Sequence, residues 1–442
     1  MDALRQRHGR AGRGAGPMRD LVREFRSYGG GVRLLMVQQF TINTAFYMLM
    51  PYLAAHLADG LGMAAWAVGL VLGVRNFSQQ GMFLVGGTLA DRLGCKPMIV
   101  AGCVLRTAGF GLLGFVQSLP VLVVTSALTG FAGALFNPAV RTYLAQAVGE
   151  KRRVEAFALF NVFYQTGMFV GPLVGLALLA ADFRLACTVA ALLFLGLTVV
   201  QVLALPEGEA VRAERPGARG VLADWRTVVA NRPFMLFSAA MIGSYVLSFQ
   251  VYLALPLQAH RAFPAAGDGV TTALFAVSAG VAAAGQLRVT GWAKKRWPAQ
   301  RALVYGIALM GVAFLPLLLT GAPPGGGGAP AAAAALTPLL LAAALLALGT
   351  ALAYPFEMDT VVSLSGGRLV ATHYGLYHTV SGLGITLGNL ATGALWDAAE
   401  RYPRLPWLVL TATGAACAGA LAALARGGRL RAMRPEPEPA SA

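Results

Sequence analysis

Long apolar runs alternate with short polar ones along almost the whole chain. A helix needs about 20 predominantly apolar residues to cross a membrane. Runs of that length can be cut twelve times. In the first half they fall near 33–58, 64–88, 97–117, 120–145, 157–180 and 183–205. In the second half they fall near 232–259, 270–292, 301–320, 337–363, 373–397 and 405–425. These are spans one to twelve. The pattern predicts an all-α membrane protein, its twelve transmembrane helices forming two pseudo-symmetric six-helix bundles at 33–205 and 232–425. A disordered basic arm (1–32), a polar linker (206–231) and a C-terminal tail (426–442) complete the division.

The two halves echo each other. Span four carries Gly133 to Pro138 and span ten carries Gly349 to Pro355, each with a proline late in a small-residue helix. The loops after spans two and eight are both basic. Two six-span halves related by a parallel repeat imply a transporter architecture, with the substrate site between the halves near mid-membrane. Residues 323–335 are Pro-, Gly- and Ala-rich and are expected to form a loose external loop.

Composition narrows the class. The 442 residues are 57% hydrophobic and 12% charged, with mean hydropathy +0.64. A soluble domain is about 25% charged, so a soluble enzyme, a disordered chain and a nucleic-acid binder are all excluded. The net charge of +16 has another explanation. Lys and Arg gather in the arm, the linker, the tail and the even-numbered loops. The opposite side holds only Arg184, Arg261, Arg401 and Arg404. That asymmetry puts both termini in the cytoplasm. The basic arm is placed to touch anionic lipid. Cys95, Cys103, Cys187 and Cys417 lack metal or redox spacing and are read as buried thiols. No pattern asks for a metal or a cofactor, and a monomer is expected.

Charges inside spans are functional candidates by default. Arg75 and Arg106 lie deep, whereas Arg141, Glu357 and Asp359 lie nearer the cytoplasmic ends of spans four and ten. Arg75 shares a helix face with Gln79, as do Gln39 with Asn43 and Asn161 with Gln165. These residues are expected to line a polar cavity in which Arg75 or Arg106 attracts a substrate carboxylate. The alternative is that both arginines snorkel or bond backbone carbonyls. Arg141 is expected to close the cytoplasmic mouth by pairing with Glu357 or Asp359. These two acids point about 200° apart on a helix, so at most one can face the other half. Unpaired interfacial charge is the alternative.

The loop after span two reads Gly87-Thr88-Leu89-Ala90-Asp91-Arg92-Leu93-Gly94-Cys95-Lys96. It resembles the signature of the major facilitator superfamily, with Cys95 where a basic residue is usual. Span five carries Gly167, Gly171, Pro172 and Gly175, which looks like the helix motif of that family's drug/proton antiporters. Glycines four apart clear one helix face for close packing. Stretches around Trp66, Gln79 to Gly81 and Lys96 to Val100 are similar to the MdtH-type multidrug exporters. The resemblance implies that Gly87, Asp91, Arg92, Gly94 and Lys96 form a conformational motif. It further implies that Asp91 meets the start of span eleven near Thr372 and His373. The family's usual coupling groups, an acid in span one or an arginine near Ser126, are absent. Asp91, Glu357, Asp359, His373 and His378 therefore stay open as proton-coupling candidates. The implied activity is proton-coupled export of small amphiphilic drugs by alternating access, with a small molecule, protons and membrane lipid as partners. A metabolite facilitator or uptake carrier and a non-transporting receptor or scaffold remain the alternatives. No catalytic cluster of the kind a membrane enzyme needs is present.

Overall fold

Hydrocarbon offers backbone N–H and C=O groups no water, so a spanning segment must satisfy them internally, as a helix does. The computed structural model describes residues 17–179, 182–206, 220–320, 329–399 and 401–430, and all regular elements among them are helical. Towards the N-terminus lie α1 (Pro17–Arg26), α2 (Gly30–Tyr47), α3 (Met50–Ala55), α4 (Ala65–Gly81) and α5 (Phe83–Leu93). Next come α6 (Cys95–Leu113), α7 (Leu119–Val148), α8 (Arg153–Leu179) and α9 (Phe183–Ala204). The linker contributes α10 (Val221–Ala230). Beyond it lie α11 (Arg232–Phe249), α12 (Ala254–Ala262), α13 (Gly267–Arg296) and α14 (Ala299–Val312). The last are α15 (Leu315–Thr320), α16 (Ala329–Ser365), α17 (Val370–Ala398) and α18 (Leu405–Arg426).

Every span cut from the sequence falls on one helix or on a broken pair. Three of the breaks have one cause. Proline has no backbone N–H to give the carbonyl four residues earlier, so an uninterrupted helix cannot run through it without loss. The helix α2 ends at Tyr47, four residues before Pro51, and α14 ends at Val312, four before Pro316. Pro256 follows the interruption between α11 and α12. Eight of the described helical segments are long and apolar enough to cross a membrane, or nine if the 43° bend in α13 joins one span. The segments outside that set, α2–α3, α4–α5 and α17, are those diluted by Gln38, Gln39, Asn43, Arg75, Asn76, Gln79, His373 and His378.

Packing repeats between the halves. In the first, α2 packs on α8, α4 on α7, and α6 on both α7 and α9. In the second, α11 packs on α17, α13 on α16, and α14 on both α16 and α18. These are the same pairings six spans later. The halves meet where α17 lies against α5 and α7, and where α8 lies against α13 and α16.

Two expectations are corrected. Residues 17–26 of the supposedly disordered arm form α1, because Leu21 and Phe25 share a face and pack on the core. Phe25 meets the Phe163 ring at 5.5 Å, and Arg152 bonds Glu24 at 3.2 Å. Residues 329–335, expected in a loose loop, begin α16, since a run of alanines is the best helix-forming sequence. The rest of that loop (323–328) and of the arm (1–16), linker segment 207–219 and tail 431–442 lie outside the described residues.

Candidate functional site

The conformational motif sits at the end of α5, on the side of the bundle that carries the linker helix α10. Three residues with positive φ, Gly366, Gly367 and Leu369, turn the chain into α17. The first N–H groups of a helix have no intrahelical partner and attract anions. Asp91 fills that role: Oδ1 accepts from Ala371 N at 3.0 Å, and Oδ2 accepts from Thr372 N and Oγ1 at 2.7 Å each. Burial pushes its carboxyl above the ordinary carboxylate range, against the pull of these donors. Arg92 donates to Asp224 Oδ2 of α10 at 2.6–2.9 Å, and Trp225 Nε1 donates to Thr88 Oγ1 at 2.8 Å. Gly94 turns with φ 95° into α6. Lys96 is partly exposed there and joins none of these contacts.

The cytoplasmic-mouth pairing differs from the expectation. Asp359 pairs with Arg153 at 3.2 Å, and Lys294 pairs with Glu155 at 2.7 Å. Arg141 instead donates to the Asn137 carbonyl of its own helix at 3.1 Å. Arg153 opens α8 at the level of Asp359, whereas Arg141 lies deeper, so reach decides the partner. Among the described residues, hydrogen bonds and ion pairs joining the halves lie at this linker end and at mid-depth.

Gly87 lets α5 and α17 touch: a methyl group there would overlap the Ala371 carbonyl oxygen. Gly86 faces its own half, where a methyl would overlap the Ala134 carbonyl. Overpacking costs about 1–3 kcal/mol. Gly87→Ala should therefore push the halves apart at this end, while Gly86→Ala lowers thermal stability. Thr290 is 1% exposed near the linker end of α13, the helix that meets α8 of the other half. A Thr290→Cys reporter, in a cysteine-free background, should be alkylated roughly tenfold faster when combined with Gly87→Ala. Equal rates would contradict the interface assignment.

The antiporter-like helix motif packs inside the first half. Methyl groups on Gly167 and Gly175 would overlap the Phe40 and Met48 carbonyls, and one on Gly171 would meet Tyr47 Cβ at 2.8 Å. The Pro172 carbonyl accepts from Tyr52 Oη at 2.9 Å.

The deep centre is built mainly from residues the sequence reading passed over. Glu357 is 4% exposed, and its Oε1 accepts from Tyr245 at 2.8 Å and Tyr377 at 2.7 Å. His378 is ringed by Phe83, Tyr245, Tyr374 and Tyr377 at 5.4–6.4 Å. Arg141 of the first half is within electrostatic reach of Glu357, Tyr354 and Tyr164. The Tyr164 hydroxyl is 3.3 Å from that of Tyr47. Tyr252 donates to Met168 Sδ at 3.1 Å across the halves. Asn161 also crosses, donating to Gln286 at 2.9 Å, and Gln286 donates on to the Ala351 carbonyl at 2.7 Å. Tyr374, Tyr377 and His378 at i, i+3 and i+4 on α17 were the available signal: three polar-tipped rings on one helix face.

The remaining cavity candidates divide. Gln39 and Asn43 are buried, with Asn43 Nδ2 donating to the Gln39 carbonyl at 2.6 Å. Gln165 is half-buried. Arg75 is half-buried beside Gln79. Arg106 does not line the space between the halves as expected: it is 5% exposed and packed over the Phe136 and Phe194 rings inside the first half. Among the described residues no group of three or more His, Cys, Asp or Glu could hold a metal ion.

Comparisons with known proteins agree with this architecture. A family model described as Major Facilitator Superfamily matches residues 35–389. An uncharacterized MFS-type transporter of Mycobacterium tuberculosis is 55% identical over 377 residues, covering 85% of this chain and 88% of the relative. The multidrug resistance protein MdtH of Salmonella arizonae is 27% identical over 386 residues, covering 87% and 91%. The human organic anion transporter MFSD10 shares the fold with TM-score 0.69 and 16% identity, covering 88% of this chain and 98% of that one. The Escherichia coli fucose:proton symporter FucP shares it with TM-score 0.67 and 14% identity, covering 88% and 97%.

Proposed function

The chain belongs to the major facilitator superfamily, and from that premise we propose that it exports small amphiphilic drugs in exchange for protons. It is a multi-pass membrane transporter of the major facilitator fold. The proposal adds twelve crossings, bundles at 33–205 and 232–425, the linker end in the cytoplasm, a bacterial inner membrane and a monomer. In this orientation the conformer is closed to the cytoplasm. Alternating access then consists of breaking the Asp91–α17, Arg153–Asp359 and Lys294–Glu155 contacts on one side while others form on the opposite side.

The observation that carries the reading is Glu357. It is a buried carboxyl between two tyrosine hydroxyls, facing Arg141 of the other half. A carboxyl at the seam of two rocking halves is exposed to opposite sides in turn. It can take a proton from one side and give it up on the other. When deprotonated it can pair with a cationic cargo or with Arg141, which makes proton and cargo compete for one group. The tyrosine rings around it offer flat apolar walls with polar tips, suited to aromatic amphiphiles. Asp91, by contrast, is occupied by the α17 terminus, and Asp359 by Arg153.

Export predicts that a cell-permeant fluorescent amphiphile such as phenylnaphthylamine is retained less by an efflux-deficient host expressing the protein. Adding an uncoupler should raise retention to the level of the empty host. An uptake carrier gives the opposite sign, with retention above the empty host and an uncoupler lowering it.

A further inference from the structure

The membrane interior of this protein carries more positive than negative charge. Arg75, Arg106 and Arg141 lie within predicted spans. Of the acids in span ten, Asp359 pairs with Arg153, and Glu357 is within electrostatic reach of Arg141. Arg75 and Arg106 have no carboxylate partner among the described residues and are close enough to repel one another. Buried charge without a counter-charge is expensive.

The local geometry is shaped around these two cations. Arg75 donates to Asn76 Oδ1 and, at 3.4 Å, to Gln79 Oε1, and its Nε is buried without a partner. Arg106 leaves both Nε and Nη1 without a partner. Arg75 lies 5.2 Å over Phe46 and Arg106 lies 5.6 Å over Phe194, with Phe110 between those rings at 6.3 and 5.3 Å. Each cation thus lies over one ring of a three-ring cluster. A methyl on Gly133 would lie 3.2 Å from Gln79 Cδ and 3.3 Å from Arg106 Nη2, so a larger residue would crowd the Gln79 amide and the guanidinium. Arg106 is sealed in, but Arg75 is half-buried and within electrostatic reach of Tyr47, whose hydroxyl neighbours Tyr164. Arg75 therefore borders the tyrosine-lined centre.

Resting on the reading that this centre is the substrate site, we propose that Arg75 is its anion-recognising group and that the cargo includes amphiphiles bearing a carboxylate or sulfonate. The acidic group supplies the counter-charge that the helices lack, and its aromatic body lies along the ring-lined walls. Glu357 and Arg75 then mark two poles of the site, on opposite halves.

Two fluorescent probes isolate the charge: anilinonaphthalene sulfonate and phenylnaphthylamine share a scaffold and differ by the sulfonate. Binding of each to the full chain in nanodiscs is read as fluorescence above empty nanodiscs. Arg75→Gln should weaken the sulfonate roughly tenfold, the size of a lost charge-assisted hydrogen bond, and leave the neutral probe within about twofold. Arg75→Lys should retain most sulfonate binding, showing that the fold survives substitution. Wild-type protein that does not prefer the sulfonate, or an Arg75→Gln protein that loses both probes alike or neither, overturns the proposal. The assay requires neither direction nor proton coupling. An anion preference that depends on Arg75, without uncoupler-sensitive retention in cells, would sink the export reading and leave this site standing.

Discussion

Replacing Asp91 by Asn is expected to slow turnover at least tenfold while substrate affinity stays within about twofold. The carboxylate meets three donors with two oxygens: Ala371 N, Thr372 N and Thr372 Oγ1. An asparagine of the same shape has one acceptor oxygen, and its NH2 must face a donor. An unsatisfied or opposed donor in a buried contact costs about 1–3 kcal/mol. Both groups part when the halves separate, so the cost falls on the closed conformer alone and shifts the conformational balance by about tenfold to a hundredfold. The substrate centre lies elsewhere along α17 and keeps its contacts. Measuring the transport rate in proteoliposomes beside equilibrium probe binding in nanodiscs separates the two effects. Affinity and rate falling together would mean that Asp91 supports the fold rather than the switch.

Glu357→Gln is expected to reduce proton-driven export at least a hundredfold with little change in stability. An amide oxygen has two lone pairs, so the glutamine side chain can still accept from both Tyr245 and Tyr377. Size and packing are kept; what is lost is the ability to bind and release a proton, and with it the negative charge that acts on Arg141 when the carboxyl is ionised. Removing the acceptor altogether is different. Glu357→Ala leaves two buried hydroxyls without a partner, at about 1–3 kcal/mol each. The Gln variant should therefore melt close to wild type, the Ala variant well below it, and both should fail to export. Retained proton-driven export by the Gln variant would mean that another group carries the proton.

Much of this architecture was legible before the structure, because the hydrocarbon constraint acts on composition. Apolar length locates each helix, proline positions locate three of the breaks, and Lys and Arg imply a side. The span-five glycines could be read as a packing face because their spacing is local to one helix. What faces them, the Phe40, Thr44 and Met48 backbone of the first span, could not. Pairing across the halves was the weakest part. Asp359 pairs with Arg153 rather than Arg141, because the start point and rotation of each helix decide which arginine can reach it. Gln286 was missed because a lone glutamine in a glycine- and alanine-rich helix carries no periodic signal. The tyrosines were missed because each one alone reads as an aromatic in an apolar run, and only convergence of α8, α11, α16 and α17 makes them a site. Arg106 was misplaced for a related reason. Depth is encoded in residue count, but whether a side chain faces its own bundle or the other half is a matter of helix phase.

The central claim is that one carboxyl at the seam of the two halves exchanges protons for cargo. The direct measurement is proton movement in proteoliposomes containing wild type or Glu357→Gln, followed with an internal pH dye while a probe gradient is imposed. Wild type should move protons against the probe, and reversing the pH gradient should reverse probe flux. Glu357→Gln should still bind and exchange probe for probe, with no proton movement above protein-free liposomes. Probe-driven proton flux at the wild-type rate in Glu357→Gln would contradict it.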